Sequence, residues 1–323
     1  MQDASGPSPR PANDDVRELR LAAEVARRFY LQDLSKVEIA AQLGLSRFKV
    51  ARLLERAREE GIVRIQVAEP EVDARLSAVL SAALKVPRVL VLDSVDVALR
   101  TEQVGALAAS YVHDVLKPGD YLGLAWSRST QSFAEELKPV KSCTVVQMCG
   151  VLAHTVGEEQ SVELVRRAAS NLGARALAFY APLIVPDATT AKTLRRQPGI
   201  ADALRCCDRL SVAVIAIGEW REDCSTVHDY LAPREQAQFA KRGAVAESAG
   251  ILFDARGRLL PDGLQDRTIA ISAAQLRRAG EVIALATDAE RSAAIRAITA
   301  SGLVTTLVTH RQAAEQVLRD LRA

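Results

Sequence analysis

Apolar residues near the start of the chain recur at the three-to-four spacing of α-helices. This spacing begins near Val16 and continues through RELRLAAEVARRFYLQ, which predicts an amphipathic helix. Two shorter helices are predicted after it. The first follows Ser35 and ends at Gly44, and the second follows Ser46 and ends at Gly61, because serine favours helix starts and glycine favours helix ends.

The rest of the chain, from Pro70, alternates apolar runs with amphipathic stretches. Strands are predicted at 88–94, 120–126, 144–150, 210–218, 281–287 and 304–309, and helices at 100–116, 160–172, 288–301 and 310–321. Runs rich in Val and Ile that are separated by helices indicate a parallel or mixed sheet covered on both faces. We therefore predict an α/β chain with a disordered leader (1–15), a small all-α domain (16–68) and a larger α/β domain (69–323).

The composition is that of an ordinary globular protein. The 323 residues are 49% hydrophobic and the net charge is only +2, so attraction to nucleic acid must come from a local cluster of basic residues. Five cysteines without a C-x-x-C spacing argue against a disulfide framework or a structural zinc. No run approaches the roughly 18 apolar residues of a membrane span, and the polar start lacks the apolar core of a signal peptide. We expect a cytoplasmic protein without a cofactor or metal.

The second and third helices carry the pattern of a helix-turn-helix. Two short helices that cross at a wide angle need a small residue where their backbones approach, and Ala40 provides one. The tight turn between them needs a residue with positive φ, which Gly44 supplies. The residues expected to point inward are Ile39, Leu43, Leu45, Val50 and Leu53. These residue types at these offsets favour a DNA-binding domain.

The third helix is predicted to read DNA from its N-terminal turns. Residues 46–58 contain five arginines and lysines and one glutamate, a local charge of +4. We expect Arg47 and Arg52 to contact guanine bases and Lys49 to contact a base or a phosphate. Phe48 either touches a thymine methyl group or packs against its neighbours. The alternative for the whole helix is a solvated face with ordinary arginines.

The caps and the following segment complete this prediction. Ser35 and Ser46 are expected to cap the two helices, with the Ser35 backbone amide placed to meet a phosphate. The alternating segment 62–67 either forms a wing or closes the small core. Because one helix-turn-helix covers little of the duplex, we expect a homo-oligomer to bind two half-sites of double-stranded operator DNA.

From the first helix to its C-terminus, the chain resembles the SorC/DeoR-like sugar-responsive regulators. The segment LQDLSKVEIAAQLGLSRFKVARLLERAREEGIVRIQV is similar to that family's helix-turn-helix. The other similar segments are GLAWSRST (123–130), VVQMCG (145–150), YAPLIVPD (180–187), IAIGEW (215–220), GAVAESAGILFDARG (243–257) and LATDAERSAAIRAI (285–298). The resemblance implies a Rossmann-like effector domain, related to sugar-phosphate isomerases and deaminases. It also implies a phosphorylated sugar, polyol or related metabolite as effector, and dimers or tetramers.

The resemblance also implies which residues bind the effector. Loops at the carboxyl ends of strands, followed by helix N-termini, bind phosphate through backbone amides. The implied phosphate loop is Ser127, Arg128, Ser129 and Thr130. Gln147 would line the pocket, Glu247 would bind sugar hydroxyls and Arg291 would reach the phosphate. For Ser129 and Thr130, plain helix capping is the alternative.

One loop departs from the family's pattern. Where the family carries two glycines before a lysine, this chain has Thr287, Asp288 and Glu290 before Arg291. The acidic residues bring negative charge close to the expected phosphate, and Thr287 obstructs close approach of the backbone. Arg291 therefore either binds the effector or simply pairs with Asp288 or Glu290.

The favoured function is a DNA-binding regulator whose larger domain senses a metabolite and controls a catabolic operon. One alternative keeps DNA binding and makes the larger domain only an oligomerisation scaffold. The other is an isomerase- or deaminase-like enzyme, which would need a positioned base in the pocket. The four histidines, His113, His154, His228 and His310, are scattered and no nucleophile or phosphate-loop motif accompanies them, so catalysis is not expected.

Overall fold

The computed structural model describes residues 12–32, 34–63, 72–94, 98–140, 142–152, 161–261 and 263–322. The chain separates into two units, which divide between Glu69 and Pro70. In the described part of the chain, the N-terminal unit contains helices and no strands, whereas the C-terminal unit contains both helices and sheets.

The described residues of the N-terminal unit form three helices: α1 (Ala12–Leu31), α2 (Lys36–Leu43) and α3 (Arg47–Glu59). The first begins before Val16, so residues 12–15 are helical and the prediction of a disordered leader is wrong for them. Apolar periodicity marks only the part of a helix that packs on a core, and a polar first turn therefore escapes it. Residues 1–11 of the predicted leader lie outside the described residues.

Local hydrogen bonds set the turn between α2 and α3. Ser35 begins α2 with a capping box, in which its Oγ accepts from the Glu38 amide at 3.3 Å and its own amide donates to the Glu38 carboxylate at 2.8 Å. Gly44 ends α2 with φ of 64°, and the Leu45 amide donates to the Ala40 carbonyl at 2.9 Å. The predicted turn glycine is confirmed, because only a residue without Cβ adopts this conformation at little cost.

The three helices share one small apolar core. Its buried members are Ala22, Val25, Ala26, Ile39, Ala40, Val50, Leu53, Leu54 and Ala57. Leu43 and Leu45 are partly buried against it, so the predicted inward face is confirmed. Most of the predicted strand 62–67 lies outside the described residues. Ile62 and Val63 are described and are not in a strand, and Val63 packs against this core.

Among the described residues of the C-terminal unit, seven parallel strands form the main sheet and three short strands form a second, antiparallel sheet. The main sheet contains β1 (Arg88–Leu92), β2 (Tyr121–Leu124), β3 (Thr144–Gln147), β4 (Arg175–Leu177), β5 (Val212–Ala216), β9 (Glu281–Ala286) and β10 (Thr306–His310). Their spatial order is β1-β10-β9-β5-β2-β3-β4. The second sheet contains β6 (Gly218–Glu219), β7 (Ala246–Ser248) and β8 (Ile251–Phe253).

Helices cover both faces of the parallel sheet. In chain order they are α4 (Ala74–Leu84), α5 (Arg100–Val115), α6 (Arg128–Glu135), α7 (Ser161–Leu172), α8 (Ala188–Leu194), α9 (Pro198–Cys206), α10 (Thr226–Tyr230), α11 (Pro233–Lys241), α12 (Ala273–Arg278), α13 (Ser292–Ala300) and α14 (Arg311–Arg322). Helices α5, α6 and α7 pack into one apolar cluster, and α4, α13 and α14 pack into another. The predicted α/β class and the doubly covered, Rossmann-like sheet are confirmed.

The order of the strands reverses between β2 and β5. The chain leaves β2 through α6 to β3 and then β4, which lie on one side, whereas it leaves β5 toward β9 and β10 on the other side. The segments after two neighbouring parallel strands thus diverge. A crevice opens where they part, at the carboxyl end of the sheet.

A close helix contact in the C-terminal unit gives a test of this packing. A Cβ at Gly105 of α5 would lie 2.7 Å from the backbone amide nitrogen of Phe133 in α6, so Gly105→Ala requires the two helices to move apart. We expect a loss of about 1–3 kcal/mol in the free energy of unfolding, measured by urea titration with circular dichroism. Gly199→Ala in α9, where a Cβ meets nothing within 4 Å, is the matched control and should cost nothing. Equal stabilities of the two variants would contradict the packing.

Candidate functional sites in the two units

The side chains at the start of α3 point away from the core of the N-terminal unit. Arg47, Phe48, Lys49 and Arg52 are exposed, and Phe48 is 82% exposed. A ring this exposed is not packed within the unit, which favours contact with a partner over the packing role considered for Phe48. Ser46 caps this end of the helix, because its Oγ accepts from the Lys49 amide at 3.1 Å.

The positive charge at this end of α3 is not compensated locally. Within the part of the chain that the structure describes, Arg47, Lys49 and Arg52 have no ion-pair partner, whereas Arg56, one turn beyond Arg52, pairs with Glu18. Unpaired guanidinium and ammonium groups on one exposed helix end form the local cluster that a near-neutral chain needs to attract DNA.

A cavity lies in the C-terminal unit at the crevice between β2 and β5. It is bounded by the segments after β2, β3, β5 and β9 and by the small antiparallel sheet. Ser127, Arg128, Ser129, Glu247 and Arg291 all line it. Five of the seven residues that the resemblance assigned to the effector therefore surround one space.

The start of α6 is held by hydrogen bonds of its own. The Oγ of Ser127 accepts from the Thr130 amide at 3.0 Å, so Ser127 is the helix cap. Thr130 is fully buried and its hydroxyl donates to the carbonyl of Ala125 at 2.8 Å. Thr130 thus stabilises the loop between β2 and α6 and is not among the residues that line the cavity.

Gln147 also lies away from the cavity. It is fully buried at the end of β3, where its amide nitrogen donates to the Cys149 carbonyl at 2.9 Å and its oxygen accepts from the Phe179 amide at 2.9 Å. Both ends of the side chain are therefore occupied by backbone groups. The cavity wall after β3 is formed instead by Cys149 and Gly150.

Arg291 lines the cavity and also pairs with Asp288, as one of its two sequence-based alternatives predicted. It lines the cavity, and its Nε donates to Asp288 at 3.1 Å while its Nη1 donates to the Ile217 carbonyl at 2.8 Å. Asp288 is also held by Arg100, whose Nε donates to it at 2.7 Å. Burial alone would raise the pKa of Asp288, but the charges of the two arginines outweigh it and hold this pKa below its ordinary value. Glu290 pairs with Arg221 instead.

Glu247 places a buried carboxyl group at the cavity. It accepts from the Gly250 amide at 2.7 Å and from the Ser225 hydroxyl at 3.0 Å, and it is 6% exposed. Burial raises the pKa of Glu247 above its ordinary value, and these hydrogen bonds and the charge of Arg291 oppose that rise. Because each carboxylate oxygen can accept more than one hydrogen bond, Glu247 can also accept hydrogen bonds from the hydroxyl groups of a ligand.

Sequence reasoning missed the wall that follows β6. Asp223, Cys224, Ser225 and Asp229 all line the cavity from this segment. The one feature of this segment that a sequence can display is the helix cap Ser225, whose Oγ accepts from the amide of His228 at 3.2 Å. No periodicity marks such a segment, because short irregular stretches have neither helical nor strand spacing.

The remaining candidate groups lie elsewhere. His228 is held by Asp229 at 2.9 Å and His310 is fully buried at the end of β10, while His113 is exposed on α5 and His154 lies outside the described residues. Across the described ranges, no three His, Cys, Asp or Glu side chains are placed to hold a metal ion. None of the described helices combines the length and apolar character that crossing a membrane requires.

Comparison with known proteins identifies similar chains over almost the whole length. The family described as "Putative sugar-binding domain" matches residues 68–319. The deoxyribonucleoside regulator of Bacillus subtilis (strain 168) is 26% identical over 313 residues, which are 95% of this chain and 100% of that protein. The sorbitol operon regulator of Klebsiella pneumoniae is 27% identical over 318 residues, 95% of this chain and 99% of that protein.

A solved structure extends the similarity to the fold of both parts. The crystal structure of the full-length sorbitol operon regulator SorC from Klebsiella pneumoniae superposes with a TM-score of 0.70 at 25% identity. The match covers 94% of this chain and 99% of that one.

The buried carboxyl group gives a pH-dependent prediction. Because the folded-state pKa of Glu247 is raised, its contribution to stability is fully present below the unfolded pKa of about 4.3 and is lost as pH rises through the folded value. Glu247→Gln keeps an acceptor for Gly250 and a donor for Ser225 without the charge. We expect its melting temperature to equal that of the wild type near about pH 4 and to exceed it near about pH 8. A variant less stable than the wild type at the higher pH would contradict the assignment.

Proposed function

The chain belongs to the sugar-binding domain family of SorC/DeoR-like transcription regulators, and on that premise we propose that it regulates transcription in response to a sugar-class effector. In this proposal the N-terminal unit binds operator DNA and the C-terminal unit binds the effector. The observation that carries the first part is the uncompensated basic end of α3. The observation that carries the second part is the cavity at the strand reversal.

The DNA-binding role follows from the geometry of α2 and α3. Gly44 and Ala40 allow the two helices to cross closely, and Ser46 starts α3 so that its first turns are exposed. In a helix-turn-helix, these turns enter the major groove. Arg47 and Arg52 then supply planar guanidinium groups, which match the two acceptors of a guanine edge.

The effector role follows from the chemistry of the cavity. Arg128 and Arg291 offer cationic donors, and Glu247 offers a buried acceptor. Donors and acceptors of this kind within one largely preformed space are what a polar metabolite with hydroxyl groups requires. We propose Ser127, Ser129 and these three residues as the effector-contacting set. Thr130 and Gln147 instead support the walls.

We further propose that the chain acts as a homo-oligomer, a dimer or tetramer, in the cytoplasm. One helix-turn-helix reads only a half-site, and two copies related by symmetry read a palindromic operator. Light scattering of the purified chain with and without a palindromic duplex measures the number of copies. A monomer in both samples would contradict this part of the proposal.

The DNA-binding assignment is tested with arginine variants of α3. Arg47→Ala and Arg52→Ala should each weaken binding to operator DNA by about 1–3 kcal/mol, because each removes a contact to a base edge. Fluorescence anisotropy with duplexes from upstream of the chain's own gene and its neighbouring operons measures this loss. Arg27→Ala on α1, whose side chain is 64% exposed, is the matched control and should bind normally. Normal binding by both α3 variants would remove this surface from the interface.

The effector assignment is tested with a cavity variant. Wild-type protein should gain a degree or more of melting temperature with its effector, because binding to the folded state alone raises stability. Arg291→Ala should abolish this gain while operator binding without effector stays unchanged. Arg278→Ala, which removes an exposed arginine paired with Asp208, is the control and should keep the response. A normal response in the Arg291 variant would place the effector elsewhere, and no response to any sugar-class compound would favour a scaffold role.

A further inference from the structure

The charges around the effector cavity are a poor match for a phosphate group. The described lining includes three carboxylates, of Asp223, Asp229 and Glu247, and two guanidinium groups, of Arg128 and Arg291. A phosphate monoester carries about −1.5 to −2 charges near neutral pH. Such a dianion would enter a site whose two arginines are already accompanied by three carboxyl groups.

Asp288 reduces the positive charge that Arg291 can offer. Its carboxylate accepts from Arg291 Nε at 3.1 Å, and it stays close to the guanidinium because Arg100 holds its other oxygen at 2.7 Å. The Ile217 carbonyl occupies one N–H of Nη1 at 2.8 Å. The donors that remain are one N–H of Nη1 and the two N–H groups of Nη2, and adjacent donors on these two nitrogens can form a planar fork. This fork matches the two oxygens of one carboxylate.

One backbone amide at the start of α6 is already occupied within the protein. The Thr130 amide is already satisfied by Ser127 Oγ at 3.0 Å, and the Thr130 hydroxyl is turned back to the Ala125 carbonyl at 2.8 Å. Phosphate sites at helix starts use several free backbone amides that converge on one anion. Here the Ser127 cap occupies the Thr130 amide, so this amide is not available to an anion.

We propose, resting on the effector role above, that the effector is a polyhydroxy carboxylic acid, and that Asp288 is the residue that selects a carboxylate over a phosphate. The single charge of the acid pairs with the fork of Arg291. Its hydroxyl groups donate to Glu247 and to the carboxylates after β6. A phosphate is disfavoured because its second charge lies beside Asp288, which cannot move away while Arg100 holds it.

Three six-carbon probes separate the ligand classes. Gluconate carries a carboxylate and five hydroxyls, glucose 6-phosphate carries a phosphate, and sorbitol is uncharged. Calorimetric titration of the wild-type chain should give a dissociation constant for gluconate at least about tenfold below those of the other two. This ranking needs no variant. A C4–C6 series of each class, tested in the same way, allows for a preference in chain length.

Two charge variants test the selecting residue. Asp288→Asn should strengthen glucose 6-phosphate binding by about tenfold and so narrow the preference for the acid, because it removes a negative charge next to the bound anion. Glu290→Gln removes the same charge from the same loop at a side chain that is 74% exposed. It is the matched control, and it should leave the ratio of the two constants within about twofold, since solvent screens exposed charges.

The outcomes distinguish this inference from the function on which it rests. Tighter binding of the sugar phosphates, or of sorbitol, by the wild-type chain would overturn the inference and still support an effector cavity. An unchanged preference in a folded Asp288→Asn variant would remove Asp288 as the selecting residue. Absence of binding by all three chemical series would contradict the effector role itself.

Discussion

The reversal of strand order between β2 and β5 is the constraint on which the C-terminal unit depends. Two adjacent parallel strands pair over Leu122–Leu124 and Val212–Val214, and the chain then departs from them in opposite directions. No helix can fill the gap at their carboxyl ends without a crossing connection, so a crevice is built into the topology. The sheet beneath the crevice is buried on both faces and supplies the stable core. The residues of the loops that border the crevice are therefore not needed for that core and can contact a ligand.

Charge then decides what this crevice can hold. Arg291 contributes a positive charge to the crevice, and the carboxylate of Asp288 neutralises part of that charge. Arg100 holds this carboxylate in place through a second ion pair. Glu247, nearly inaccessible to solvent, adds a buried carboxyl group, and hydrogen bonds from Gly250 and Ser225 offset part of the cost of burying it. Buried ionisable groups that are costly for stability are expected where binding requires them.

The helix-turn-helix was predictable almost to the residue, because its determinants are local. Ser35, Gly44 and Ser46 act through bonds to residues within five positions, which a sequence displays directly. The long buried strands of the C-terminal unit were predictable for a similar reason. Strand β4 was not, since it has three residues and starts with the exposed Arg175, and the small antiparallel sheet has strands too short for any periodicity.

The candidate site was only partly predictable from sequence. Resemblance placed Ser127, Glu247 and Arg291 in one site, and the cavity brings them together. Resemblance could not show that both polar atoms of the Gln147 side chain are hydrogen-bonded to backbone groups. The direction of a side chain at the end of a strand depends on its neighbours in the sheet. Nor could resemblance reveal the wall after β6, whose residues reach the cavity only through the fold.

The central claim, that the effector sits in the crevice between β2 and β5, is tested most directly by fluorine NMR. The chain has two tryptophans, of which Trp126 lines the cavity and Trp220 is buried against Phe239 and His228. With both replaced by 5-fluorotryptophan, a compound that raises the melting temperature should shift the Trp126 resonance strongly and saturably, and move that of Trp220 far less. A stabilising compound that leaves the Trp126 resonance unchanged would contradict the account.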